Sequence, residues 1–164
     1  MVYTRKISRG KWEKALELCG NNEDLNIDFF PADTLTSELR TSDNTLSIWR
    51  VNSLDDAVLA MMSNEHSSLE TIYILHTINL PESDFQIKNT DGNTVVEDLI
   101  HNHVDIVNLN YSSIGKVAKF FLQKFQSGNY KKYSPSDIKK ILNTAIKNGR
   151  LKPEKLNDKV QKKL

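Results

Sequence analysis

The residue types best suited to chemistry stand close together near the middle of the chain. The string His101-Asn102-His103-Val104-Asp105 places two imidazoles and a carboxylate at alternating positions. Imidazole nitrogen and carboxylate oxygen are ligands that suit zinc or manganese. This spacing makes His101, His103 and Asp105 candidate metal ligands. A small metal-dependent hydrolase is therefore one function to consider.

The pattern H-x-H-x-D resembles the first part of the metal-binding motif of metallo-β-lactamase-type hydrolases. The resemblance implies a zinc or manganese site on a turn that follows a β-strand. The next histidine of that motif has no counterpart, because position 106 is Ile106, and the preceding residues VVEDLI favour a helix. We therefore expect surface or capping histidines here, with no catalytic residue, no metal and no cofactor.

Charge is distributed unevenly along the 164 residues, although the formal net charge is only +1. Residues 1–115 hold 8 Lys or Arg and 18 Asp or Glu, a net of −10, and acidic residues dominate from about residue 16. Residues 116–164 hold 14 Lys or Arg and 3 Asp or Glu, a net of +11. Such asymmetry is typical of proteins that bind a polyanion or an acidic partner. The alternative is that the basic segment packs against the chain's own acidic body.

The basic segment supplies the candidate binding residues. Lysines neutralise phosphates without reading base sequence, and the interleaved Tyr130 and Tyr133 could stack on unpaired bases. Only one of the 14 basic residues is an arginine, which disfavours base readout. The candidates for binding nucleic acid or an acidic partner are Lys116, Lys119, Lys124, Lys131, Lys132, Lys139, Lys140, Lys147, Arg150 and Lys152. Arg40 and Arg50, isolated among acidic residues, are candidates for contacting a protein partner.

Hydrophobic periodicity predicts the elements that position these residues. Apolar side chains at helical spacing predict helices over residues 9–19, 54–62 and 111–125. Residues 45–51 and 71–78 are rich in β-branched and apolar residues, which predicts two strands. With the helix between them, these strands form a predicted βαβ unit.

The predicted fold class is α/β: a small mixed β-sheet with a βαβ unit, packed by helices, plus a basic C-terminal helical extension. We expect an α/β body over residues 1–126 and the basic extension over residues 127–164. Within the extension, residues 128–134 are predicted to be a connector, and helices are predicted from Ser134 and from Pro153.

Composition excludes several classes and leaves a protein-binding role as the leading hypothesis. No apolar run approaches the roughly 18 residues that span a bilayer. The single cysteine, Cys19, excludes an internal disulfide and fits a reducing, cytoplasmic compartment. We expect a non-catalytic accessory, regulatory or inhibitory subunit that binds another protein through its charge-polarised surface. Binding of DNA or RNA by the lysine-rich third is the alternative, and the metal-dependent hydrolase is a further one.

Overall fold

The computed structural model describes residues 1–19, 31–62, 67–81 and 84–164. Within these ranges, six strands form one sheet and six α-helices pack against it. The strands are β1 (Val2–Ile7), β2 (Leu46–Val51), β3 (Ile72–Thr77), β4 (Gln86–Asn89), β5 (His103–Val107) and β6 (Tyr130–Tyr133). The helices are α1 (Arg9–Cys19), α2 (Ala32–Glu38), α3 (Leu54–Met62), α4 (Tyr111–Gln126), α5 (Pro135–Lys147) and α6 (Asp158–Gln161). In the same ranges, two 3₁₀ helices occupy Glu97–Asn102 and Pro153–Lys155.

The sheet confirms the predicted α/β class, with a different pairing from the one expected. Its strand order is β4-β5-β2-β1-β3-β6, and every pairing is antiparallel. Tyr3 of β1 lies opposite Arg50 of β2 on one side and Thr77 of β3 on the other. The strands β2 and β3 therefore run parallel to each other with β1 between them. The predicted βαβ unit is present in this split form, and the sheet is antiparallel rather than mixed because β1 separates its parallel strands.

The sequence pattern does not indicate β1, because Arg5 and Lys6 interrupt its apolar residues. The guanidinium of Arg5 satisfies its donors inside the protein. Its Nε and Nη2 donate to the Glu38 carbonyl oxygen at 3.2 and 2.7 Å, and its Nη1 donates to the Ser47 carbonyl oxygen. Burial lowers the pKa of Arg5 to about 10, and the Glu38 carboxylate opposes that shift. These bonds allow a charged side chain in the middle of the sheet.

Side chains alternate between two hydrophobic clusters on opposite faces of the sheet. From β2, Leu46 and Ile48 enter one cluster, whereas Trp49 and Val51 enter the other. The first cluster is covered by α1 and α4, and the second by α3, α5 and α6. The result is a sheet with helices on both faces. In the described parts of the chain, no helix has the length and apolar composition needed to cross a membrane.

The basic third of the chain contributes to both the sheet and the core. The predicted boundary after residue 126 coincides with the end of α4. The predicted connector over residues 128–134 is wrong, because Tyr130 and Tyr133 of β6 pair with Leu75 and Ile72 of β3. The pattern Tyr-Lys-Lys-Tyr lacks apolar alternation, and lysine is depleted in strands, so its sequence did not indicate a strand.

The last two helical predictions have different outcomes. The helix from Ser134 is confirmed: Ser134 and Asp137 form a capping box at the start of α5, and Gly149 lies just past its end with a φ of +72°. The helix predicted from Pro153 is instead a single 3₁₀ turn, followed by the four residues of α6.

Two glycines allow a matched test of the packing. An added Cβ at Gly92 would lie 2.7 Å from Cζ3 of Trp49 and 2.8 Å from Cβ of His103, whereas Gly10 in α1 has no such neighbour within 4 Å. We expect Gly92→Ala to lower the free energy of unfolding by about 1–3 kcal/mol through overpacking. Gly10→Ala should leave it unchanged or raise it by up to about 1 kcal/mol. Urea unfolding measures both, and equal midpoints for the two variants would contradict this packing.

Candidate interaction surface around β6

The predicted basic residues follow the chain around one edge of the sheet. Helix α4 covers one face, β6 forms the edge, and α5 covers the other face. Lys131 and Lys132 are exposed on β6 itself. The remaining candidates are Lys116, Lys119 and Lys124 on α4, Lys139, Lys140 and Lys147 on α5, and Arg150 and Lys152 just after it. The positive charge therefore borders an edge of the sheet rather than one helix face.

Part of this charge is neutralised by the acidic body. The guanidinium of Arg150 places Nη1 2.5 Å from Asp56 Oδ1 and Nη2 2.6 Å from Asp98 Oδ2. Lys155 Nζ lies 2.9 Å from Glu97 Oε1, and this pairing lowers the pKa of Glu97. The basic segment thus contacts the chain's own carboxylates where α5 ends beside α3 and the first 3₁₀ helix.

Most lysines nearer to β6 have no such partner. Lys116 lies 3.5 Å from Asp84. Across the described ranges, no carboxylate forms an ion pair with Lys119, Lys124, Lys131, Lys132, Lys139, Lys140 or Lys147. Lys124 instead lies 5.3 Å from the ring centre of Phe120, and Lys131 lies 4.7 Å from that of Tyr133. We define the β6 lysine surface as Lys124, Lys131, Lys132, Lys139 and Lys140.

The two tyrosines of β6 are engaged within the fold. The Tyr130 ring stacks on Phe125 with 4.6 Å between ring centres, and the Arg9 guanidinium lies 5.9 Å from it. The Tyr133 ring is buried, and its hydroxyl donates to Asp55 Oδ1 at 3.3 Å. Burial and the Asp55 carboxylate raise the pKa of Tyr133. These contacts disfavour the predicted stacking of both rings on unpaired bases.

A groove beside β6 brings predicted basic residues together with Asp55 and Thr144, which no sequence motif singles out. It has a volume of about 460 Å³ and lies between α3, β6 and α5. Lys131 and Lys140 line it, together with Asp55 and Thr144. The side chains come together only because β6 joins the sheet. The groove could have been located from the sequence only if residues 130–133 had been predicted to form a strand.

The two isolated arginines lie elsewhere. Arg50 is on β2, and two strands, β1 and β3, separate it from β6. Arg40 is exposed just after α2. Neither forms an ion pair with any carboxylate of the described residues. The fold does not bring these predicted partner-binding residues to the β6 lysine surface, and their role stays a prediction.

The three candidate metal ligands do not converge. His101 Nδ1 lies 2.7 Å from Asp91 Oδ1 on the exposed surface, whereas the side chains of His103 and Asp105 both contact Thr90. In the part of the chain that the structure describes, no group of three His, Cys, Asp or Glu side chains is placed to hold a metal ion.

His103 instead belongs to a hydrogen-bonded chain that joins β2, β5 and Thr90, the residue after β4. Thr90 Oγ1 lies 2.7 Å from His103 Nδ1 and donates to Asp105 Oδ2 at 3.0 Å. Ser47 Oγ donates to the other carboxylate oxygen at 2.9 Å. The imidazole packs edge-on against Trp49, with 5.0 Å between ring centres. Burial lowers the pKa of His103 from its usual 6.5, and the Asp105 carboxylate opposes the shift.

Comparison with models of protein families, with curated proteins and with solved structures finds no match to this chain.

The opposing effects on His103 give a test with a definite sign. Removal of the Asp105 charge leaves burial unopposed, so Asp105→Asn should lower the pKa of His103 further. Asp84→Asn, at a carboxylate beside Lys116, is the control and should leave this pKa unchanged. NMR titration of the imidazole measures both variants, and a higher pKa in Asp105→Asn would contradict the network.

Since the folded protein binds this proton more weakly than the unfolded chain, His103 should stabilise the fold above pH 6.5, with the contribution lost as the pH falls below it.

Proposed function

We propose that this protein is a non-catalytic binding subunit that recognises an acidic region of another protein through the β6 lysine surface. The observation that carries the proposal is that these lysines have no ion-pair partner among the described residues, although the same chain is rich in carboxylates. Arg150 and Lys155 take up the nearby carboxylates at the far end of α5. The lysines around β6 are therefore available to an external partner.

The lysines on the exposed edge of β6 favour binding of an acidic partner over pairing with a second copy of this chain. The His76 amide donates to the Asn129 carbonyl oxygen at 2.9 Å. Because hydrogen-bonded pairs alternate along an antiparallel ladder, the backbone groups of Lys131 and Tyr133 also face β3, and those of Lys132 face outward. Lysine on an edge strand discourages pairing with an identical edge. The same lysines attract an acidic segment, and such complementarity chiefly raises the rate of association and the specificity.

Nucleic acid is the alternative ligand, because exposed lysines can also bind phosphate groups. The engaged rings of Tyr130 and Tyr133 remove the stacking contribution that single-strand binders use. Phosphate neutralisation by lysine remains available and would be strongly dependent on salt. Of the two contributions to nucleic-acid binding, stacking and phosphate neutralisation, the residues around β6 offer only the second. We therefore propose a protein partner. A cytoplasmic location is part of the proposal, and the single cysteine, Cys19, fits such a reducing compartment.

A charge-reversal pair tests the proposal. Lys131→Glu with Lys132→Glu changes the charge at β6, and Lys159→Glu with Lys162→Glu makes the same change around α6. Affinity purification from nuclease-treated host lysate, with quantitative mass spectrometry, compares both doubles with the unmodified chain. We expect at least one protein that the α6 double retains and the β6 double loses by about tenfold or more, which corresponds to about 1.4 kcal/mol. Its retention should also weaken at high salt.

Two outcomes would contradict the proposal. One is that every retained protein is recovered equally with both doubles, because the β6 lysines would then play no part in binding. The other is retardation of DNA or RNA in an electrophoretic shift assay that only the β6 double abolishes, with no protein dependent on these lysines. That result would favour the nucleic-acid alternative.

A further inference from the structure

The groove between α3, β6 and α5 is lined by three lysines, Lys131, Lys132 and Lys140, and two of them face a single carboxylate, Asp137. Hydrogen bonds from Ser134 are the main cause that lowers the pKa of Asp137, and Lys131 of the strand and Lys140 of the helix lower it further. The carboxylate of Asp137 accepts from the Ser134 amide at 2.9 Å and from the Ser134 hydroxyl at 2.6 Å, which caps α5. Neither lysine forms an ion pair with a described carboxylate. This end of the groove is therefore cationic.

Asp56, at the end of the groove beside Arg150, and its neighbour Asp55 are already engaged. Asp56 pairs with Arg150 at 2.5 Å and accepts from the Ser53 hydroxyl at 2.8 Å. Asp55 accepts from the Tyr133 hydroxyl. Among the described residues, only Asp56 of the groove's carboxylates has an ion pair, but the lining as a whole holds four basic side chains and three carboxylates, so positive charge is in slight excess.

Between the two ends the groove has an apolar wall. Leu59 of α3 and Ile141 and Ala145 of α5 line it. The part of α5 that borders the groove extends from Asp137 to Asn148, which at 1.5 Å per residue is roughly 16 Å. An extended peptide rises about 3.3 Å per residue, so about five residues would fill this length.

We propose that this groove binds an extended segment of about five residues from the partner protein. An acidic side chain of the segment pairs with Lys131 and Lys140, and a large apolar side chain packs on Leu59 and Ile141. The inference rests on the proposed function and narrows it, because it specifies a linear acidic and apolar segment rather than any acidic surface. Charge complementarity places the acidic residue, and the apolar wall adds the specificity that charge alone lacks.

A variant that blocks the groove and adds positive charge distinguishes binding in the groove from binding to the β6 lysine surface as a whole. Thr144 is exposed in α5, lines the groove and donates its hydroxyl to the Lys140 carbonyl oxygen at 2.8 Å. Thr144→Arg fills the groove with a longer side chain that favours helix. Asn143→Arg makes the same charge change at the neighbouring exposed position, which does not line the groove. Thermal unfolding of both variants confirms that each is folded.

The probe is a phage-displayed library of random heptapeptides selected on the full chain. We expect selected peptides to combine Asp or Glu with large apolar residues. The best peptide, labelled for fluorescence anisotropy, should bind Thr144→Arg at least about tenfold more weakly than the unmodified chain, and Asn143→Arg at least as tightly. Electrostatics alone predicts the reverse for Thr144→Arg, since the added charge would strengthen binding of an acidic peptide.

The experiment distinguishes failure of the groove proposal from failure of the proposed function. Equal or tighter binding to Thr144→Arg overturns the groove but leaves acidic recognition by the β6 lysine surface in place. A library that yields no enriched peptide also overturns the groove alone, because a folded acidic surface could still bind. Selected peptides without acidic residues contradict both the groove and the proposed function.

Discussion

The pairing of β6 with β3 is the constraint on which the arrangement of the basic third depends. It carries the chain from α4 on one face of the sheet to α5 on the other. Tyr133 then joins the core with Ile138 and Leu142 of α5. Without this edge strand, the lysines of residues 116–164 would belong to separate helices. With it, they border one edge of the sheet at fixed positions.

The charge division along the chain has two physical consequences. At the end of α5, basic and acidic parts neutralise each other through Arg150, which joins α3 and the first 3₁₀ helix. Around β6, Asp55 and Asp137 accept hydrogen bonds from Tyr133 and Ser134, and neither forms an ion pair with a lysine of the β6 lysine surface. The ion pairs of the basic third and its lysines without an ion pair therefore lie at different places, and both positions depend on where the sheet edge lies.

Periodicity predicted the elements whose core side chains repeat regularly, and it failed where charged residues interrupt a strand. Helix α4 buries Val117, Phe121 and Phe125 as its spacing indicated. Strands β1 and β6 escaped prediction because lysine and arginine interrupt them, and only tertiary contacts, such as those of Arg5 with backbone carbonyls, permit those charges. The basic residues were therefore identifiable from sequence, but the groove that groups some of them was not.

The most direct test is amide hydrogen exchange of the intact chain. If β6 is an integral strand, the Lys131 and Tyr133 amides, which pair with β3, should be protected to nearly the same extent as the amides of β1 and β3. The Lys132 amide, which faces outward, should exchange much faster. Exchange of Lys131 and Tyr133 at the rate of an unstructured peptide, with β1 and β3 still protected, would contradict the account. Residues 130–133 would then be detached from β3, and neither the lysine surface nor the groove would exist as described.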